Sequence, residues 1–127
     1  MLIPEISLLY CGILSLMYVG LTMNVGRWRG KEKRSLGHDN DPGSPLFRAV
    51  RAHGNFMEYV PFLCLLMVLD EMTGRSIAGV HVIGASLVIG RGLNAYGLLS
   101  SAKLNKFRLT GALITILLLL ALGAILI

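Results

Sequence analysis

Arg51, Asn55, Glu58 and Tyr59 fall at i, i+4, i+7 and i+8 within RAVRAHGNFMEYVPFLCLLMVL, residues 48–69. At 3.6 residues per turn they share one helix face about 12 Å long. Arg48 extends that face by a turn, and the opposite face carries Ala49, Phe56 and Leu63. A guanidinium grips a carboxylate with a two-pronged fork, a carboxylate takes an ammonium, and a phenol and an amide orient what lies between. The set suits an anionic small molecule that also offers an amine. The same stretch runs into an apolar segment, where polar groups are costly and are expected to face a bundle interior or a cavity. Spacing alone leaves two readings level. One is the wall of a binding cavity. The other is an internal network in which Arg51 pairs with Glu58 or bonds a neighbouring helix. Pro61 removes a helical N–H, frees the carbonyl of Met57 and predicts a bend beside the polar cluster.

Further candidates come from the rest of the chain. GRGLNAYGLLSS puts Arg91, Asn94 and Tyr96 late in the third apolar segment, with Arg91 and Asn94 on one face at i, i+3. Arg108 opens the fourth segment, where an Arg also commonly snorkels to the interface. Arg29 follows the first. The expectation is that Arg29, Arg48, Arg51, Arg91 and Arg108 gather at one end of a bundle with a single acid, Glu58. Gly84, Gly90, Gly92 and Gly97 predict close helix approach. Cys11 and Cys64 lie in apolar runs and read as small buried hydrophobes, with neither a disulfide framework nor a metal motif. In SLGHDNDPGSP, the spacing of His38, Asp39 and Asp41 matches no metal cage, and the composition is that of a solvated turn.

The elements that must position these residues are membrane helices. The 127 residues are 54% hydrophobic and 15% charged, with mean hydropathy +0.68, where soluble domains carry about a quarter charged residues. A bilayer takes about 20 residues of helix, and lipid forces every backbone group to be satisfied within the segment. The predicted fold is an all-α membrane protein, one domain over 1–127, an up-down bundle of four transmembrane helices near 5–26, 47–72, 76–100 and 106–127. The first run is too long for a signal-peptide core and is preceded by no basic residue, so it reads as a mature helix. Arg27, Arg29, Lys31, Lys33 and Arg34 fill the first connection, and Lys103, Lys106 and Arg108 the third. The second holds Asp70, Glu71 and one Arg75. The positive-inside rule then puts the first and third connections in the cytoplasm and both termini on the non-cytoplasmic side. The net charge of +5 reads as topology and contact with anionic headgroups. Aromatic residues are not interleaved with the charges as base stacking needs, so no nucleic-acid partner is expected.

RAHGNFMEYVP, with Arg51, Ala52, Asn55, Glu58 and Pro61, resembles the second-helix signature of the MAPEG superfamily, the membrane-associated proteins of eicosanoid and glutathione metabolism. The resemblance extends over essentially the whole chain, strongest at 47–70 and 91–110, and SLGHDNDPGSPLFRAVRAHGN is most like the bacterial, uncharacterised branch. It implies a homotrimer in a bacterial inner membrane, with glutathione as co-substrate between adjacent subunits near the cytoplasmic side. It also implies that Arg51, Asn55, Glu58 and Tyr59 hold glutathione, with Arg29, Arg91 and Tyr96 as further contacts, and that Arg108 acts on the thiol. An aromatic expected in the third helix is replaced by Asn94, and the spacing from Arg91 to Arg108 differs slightly from mammalian members.

The implied chemistry is glutathione-dependent transfer to, or peroxidase action on, a lipophilic substrate arriving from the bilayer between the first and fourth helices. A free thiol has a pKa of about 8.5, and an Arg cation beside the sulfur favours thiolate. A second reading keeps the fold and binds glutathione or a related anion without chemistry, since a fold does not establish an activity. A small four-helix cation exchanger would need an acid in the first span. Residues 6–26 contain none, and Glu58 sits among arginines.

Overall fold

The structure, a computed structural model, describes residues 3–127 and contains four helices, α1 (Glu5–Lys31), α2 (Pro45–Met72), α3 (Ile77–Ser100) and α4 (Lys106–Leu126). Among the described residues there is no strand. All four are long and apolar enough to cross a membrane. Three begin on side-chain caps written in the sequence. The Ser44 hydroxyl accepts from Phe47 N–H at 3.0 Å, with Pro45 at the first helical position. The Ser76 hydroxyl accepts from Gly79 N–H at 3.2 Å, and Asn105 Oδ1 from Arg108 N–H at 3.0 Å. Each satisfies one of the donors that a helix start leaves without an intrahelical partner.

The fourth cap is tertiary. α1 begins after Pro4, which supplies no side-chain cap, and the Glu71 carboxylate at the end of α2 accepts from Ile6 N–H at 3.0 Å and Ser7 N–H at 2.7 Å. A carboxylate at this positive helix end is stabilised by the macrodipole. Ser7 adds a bond from its hydroxyl to Met67 O at 3.2 Å. Glu71→Ala is expected to cost about 1 kcal/mol, the usual worth of a helix cap, read as a lower thermal midpoint of the purified protein in detergent.

α1 runs five residues past its apolar run, which ends at Gly26. Arg27, Arg29 and Lys31 suit a helix C-terminus, where cations meet the negative dipole end and can reach headgroups. Lys31 Nζ sits 4.4 Å above the Trp28 ring. α2 continues unbroken through Pro61, and Pro61 lines an apolar cavity of about 350 Å³ between α1 and α2 with Cys11 and Cys64. The proline therefore borders that cavity, away from the polar cluster.

The two short connections make neighbouring helices antiparallel. α2 and α3 form the centre, and α1 and α4 each pack on both of them without touching one another. The core is Leu14 and Leu21 of α1, Phe56, Val60 and Leu63 of α2, Leu87 and Leu98 of α3 and Leu122 of α4. α3 and α4 meet through glycine. A Cβ on Gly97 would fall on the backbone of Arg108, one on Gly90 against Ile114, and one on Gly111 against Gly90 O and the Asn94 backbone. Gly84 makes room for the Tyr10 ring, whereas the nearest atom to a Cβ on Gly92 is Met17 Cε at 3.8 Å, an ordinary contact.

Candidate functional site

The face of α2 that packs inside the subunit is Leu46, Ala49, Ala52, Phe56, Val60, Leu63 and Met67. Arg51 and Glu58 lie on the other side and are exposed, and Asn55 and Tyr59 are half-buried at the rim. Of the two expected surroundings, a bundle interior or a cavity, the chain gives the second to Arg51, Asn55 and Tyr59, which line cavities at its surface. The apolar face is the one that meets α1 and α3, and it leaves the polar face to look outward. Arg51 and Glu58 make no ion pair with each other. The only ion pair among the described residues is Arg75 with Asp70, near the opposite end.

The arginines separate into three places. Arg48, Arg51 and Arg108 line one cavity of about 100 Å³ between the starts of α2 and α4 and the end of α3, with Phe47 and Leu98 as apolar wall. Arg48 is partly committed, its Nη1 donating to Leu99 O at 2.9 Å. Among the described residues Arg51 and Arg108 donate no side-chain hydrogen bond, and no carboxylate lies within ion-pair distance of either. Three cations with low-dielectric walls and no internal counter-charge focus a field that draws in an anion.

Arg91 lies deeper and is 1% exposed. Its Nη2 donates to Asn55 Oδ1 at 2.6 Å and to Asn94 Oδ1 at 3.5 Å, and its Nη1 to Thr115 Oγ1 at 3.2 Å. The guanidinium also stands 5.4 Å from the Tyr59 ring centre. These neutral groups and two aromatic faces, Tyr59 and Phe56 at 5.8 Å, stabilise a buried cation, and its Nε is left without a partner. Asn55, Tyr59, Arg91, Asn94 and Thr115 enclose a cavity of about 40 Å³, polar-walled and large enough for a water molecule. Arg91 therefore orders Asn55 and Tyr59 from behind.

Arg29 and Tyr96 lie elsewhere. Arg29 lines a groove of about 260 Å³ between α1 and α2, on the face of α2 that carries Val50 and His53, and its Nε donates to Gly37 O at 3.3 Å. Tyr96 is exposed, packs edge-on against Phe107 with ring centres 5.1 Å apart, and lines the α1–α3 groove with Met17 and Asn24. Within the chain neither joins Arg51, Asn55, Tyr59 or Arg108. Among the described residues α1 and α4 form no cleft with each other, because α2 and α3 separate them.

The loop beside the arginine cavity is held by its own side chains. Asp39 Oδ1 accepts from the Ser44 hydroxyl at 2.7 Å and from Asp41 N–H at 3.2 Å. The Ser44 hydrogen bond holds this half-buried carboxyl below its ordinary value. Asp39 thus favours the loop's fold above its unfolded value, and that support is lost as pH falls through the folded one.

Sequence reasoning missed Asn105 and Thr115. Asn105 was legible as an N-cap preceding a long apolar run. His53, two residues from Arg51, sits on the other face by helical period, where it stacks on Tyr18 at 5.1 Å. Thr115 carries no signal, being one hydroxyl in an apolar run whose partner lies 24 residues away.

A family model for the MAPEG family matches residues 7–127. The chain is 36% identical over 93 residues to inner membrane protein YecN of Escherichia coli strain K12, covering 72% of this chain and 69% of the relative. The same protein from Escherichia coli O6:H1 strain CFT073 matches at the same identity and coverage. No solved structure matches.

Proposed function

Because this chain belongs to the MAPEG family, we propose that it is a glutathione-dependent transferase or peroxidase of a bacterial inner membrane, acting as a homotrimer on lipophilic electrophiles. It is an integral membrane protein with four apolar helices and has inner-membrane relatives. Arg29, Lys31, Lys103 and Lys106 sit at one end of the bundle, which the positive-inside rule assigns to the cytoplasm.

One observation carries the reading. Arg51, Glu58 and Arg108 present ionisable groups on the outside of the subunit with no internal partner. A carboxylate facing acyl chains is costly and needs cover. A neighbouring subunit with a zwitterionic ligand between the two supplies both the cover and the counter-charges. Glutathione carries two carboxylates and an ammonium, so Arg51 takes a carboxylate, Glu58 the ammonium, and Asn55 and Tyr59, ordered by Arg91, fix the peptide backbone. Arg29 and Tyr96 reach such a ligand only across the subunit boundary. Arg108 faces the sulfur and stabilises thiolate. That thiolate either bonds an electrophilic carbon as the carbon's leaving group departs, or attacks a hydroperoxide oxygen. The second course breaks the O–O bond, releasing the alcohol and a glutathione sulfenic acid that a second glutathione converts to the disulfide and water. With α1 and α4 apart in one subunit, the lipophile enters between α1 of one copy and α4 of the next.

The test is retention of glutathione by the purified protein. Wild type is expected to hold about one glutathione per subunit in equilibrium dialysis and to run as a trimer. Glu58→Ala is expected to lose at least about tenfold in affinity, since a hydrogen bond to a charged group contributes about 1.5–3 kcal/mol, while the trimer persists. Loss of the trimer without a specific loss of glutathione would make Glu58 a helix-joining residue. Binding without thiolate formation would leave the chain a non-catalytic binder.

A further inference from the structure

We infer that Asn94 and Asn105 are positioning residues for Arg108, holding its backbone against α3 so that its guanidinium meets the thiol at a fixed place. The inference rests on the role of Arg108 given above and adds the residues that make it possible. Arg108 is the third residue of α4, in the turn where backbone N–H groups lack intrahelical acceptors and where helices fray. A guanidinium carried there swings with the turn unless something outside α4 holds it.

Both backbone polar groups of Arg108 are taken by side-chain amides. Asn105 Oδ1 accepts from Arg108 N–H at 3.0 Å, and Asn94 Nδ2 donates to Arg108 O at 3.2 Å. Each amide uses its other end on α3. Asn105 Nδ2 donates to Gly97 O at 2.8 Å, and Asn94 Oδ1 accepts from the buried Arg91. Gly97 lets the chains touch, because a Cβ there would fall on Arg108 N and Cα. Asn94 is 3% exposed, so it offers little to a ligand. The backbone of Arg108 is thus held from two sides and its contact face is flush with α3, while its guanidinium makes no hydrogen bond or ion pair among the described residues. Arg91 keeps Asn55 by its own 2.6 Å bond and Thr115 by a 3.2 Å bond, while its contact to Asn94 is the longest at 3.5 Å, so removing the Asn94 amide leaves the backbone end of the site held. Reacting groups held loosely lose rate steeply, about 100-fold for a displacement near 1 Å.

The test measures glutathione affinity and thiol ionisation separately on the full-length protein in detergent, by equilibrium dialysis and by ultraviolet thiolate absorbance against pH. Asn94→Ala and Asn105→Ala are expected to raise the apparent pKa of the bound thiol by about one unit, a tenfold loss of thiolate on the acid side, with affinity within about twofold of wild type. Asn105→Ser keeps the cap acceptor but loses the amide donor to Gly97 O, and is expected to titrate between Asn105→Ala and wild type. Asn105→Gly removes the acceptor but costs a helix start only a few tenths of a kcal/mol, so it is expected to fold and to behave as Asn105→Ala. Asn variants that titrate like wild type, or that lose affinity and thiolate in equal proportion, overturn the clamp while Arg108→Ala still removes the signal. No thiolate in wild type, or a signal that Arg108→Ala leaves intact, overturns the glutathione reading itself and this inference with it.

Discussion

Replacing Arg108 by Ala is expected, on the glutathione reading proposed above, to abolish most of the thiolate formed at neutral pH while leaving the protein folded. The size follows from electrostatics. An opposite charge within 4–6 Å lowers a pKa by about 1–3 units. Taking two units from about 8.5, the bound thiol is about three-quarters ionised at pH 7 with Arg108 and about 3% ionised without it, a change of about 25-fold. The sign is fixed by the cation, which favours the anionic form and so depresses the thiol's pKa. Wild-type thiolate therefore appears from about pH 6 upward, and the variant's only as pH rises past about 8. The two curves converge in alkali, where both thiols are ionised, so a difference that persists there would point to lost binding instead. Arg108→Lys keeps the charge but not the planar fork and is expected to fall between them. The fold should survive, because the guanidinium has no hydrogen-bond or ion-pair partner among the described residues and the residue's backbone bonds to Asn94 and Asn105 are retained.

Gly111→Leu is expected to prevent assembly of the bundle. A Cβ at Gly111 would meet Gly90 O and the backbone nitrogen of Asn94, as well as Asn94 Cβ. Backbone atoms cannot rotate aside as a side-chain tip can, so α3 and α4 would have to separate. That separation would break the Asn94 bond to Arg108 O and the Arg91 bond to Thr115. Overpacking alone costs about 1–3 kcal/mol, and with broken buried bonds the total reaches about 4 kcal/mol or more, at the extreme of single substitutions. The purified variant is expected to be absent from the monodisperse peak or to unfold far below wild type. Gly92→Ala is the matched comparison. It has only Met17 Cε nearby, and Ala in a helix is favoured over Gly by about 0.5–1 kcal/mol, so it should be neutral or mildly stabilising. If Gly111→Leu folds as well as Gly92→Ala, the close α3–α4 approach is wrong.

Much of the scaffold was legible from local chemistry. Runs of uncharged residues located four helices, and Ser44, Ser76 and Asn105 mark their starts. The start of α1 was not marked locally, because its cap comes from Glu71, about 65 residues away. The end of α1 was placed at Gly26 because hydropathy follows lipid rather than helix, and Arg27–Lys31 remain helical in a more polar layer. Of the glycines expected at helix contacts, Gly84, Gly90 and Gly97 sit at close approaches and Gly92 does not. A glycine's identity permits closeness but does not say whether a neighbour takes it up.

By itself the sequence determined the four apolar helices, the shared face of Arg51, Asn55, Glu58 and Tyr59, and membership of the family that the signature announces. Only the tertiary structure decided which way that face points and how the arginines divide. It left Arg51 and Arg108 free in one cavity, buried Arg91 among Asn55, Asn94 and Thr115, and put Arg29 on another face of α2. The reason lies in the solvent. In water, apolar residues tell inside from outside, so period fixes orientation. In a bilayer the lipid is as apolar as the core, no hydrophobic force selects the packed face, and the choice falls to glycine contacts and to polar bonds between residues 24 and 36 positions apart.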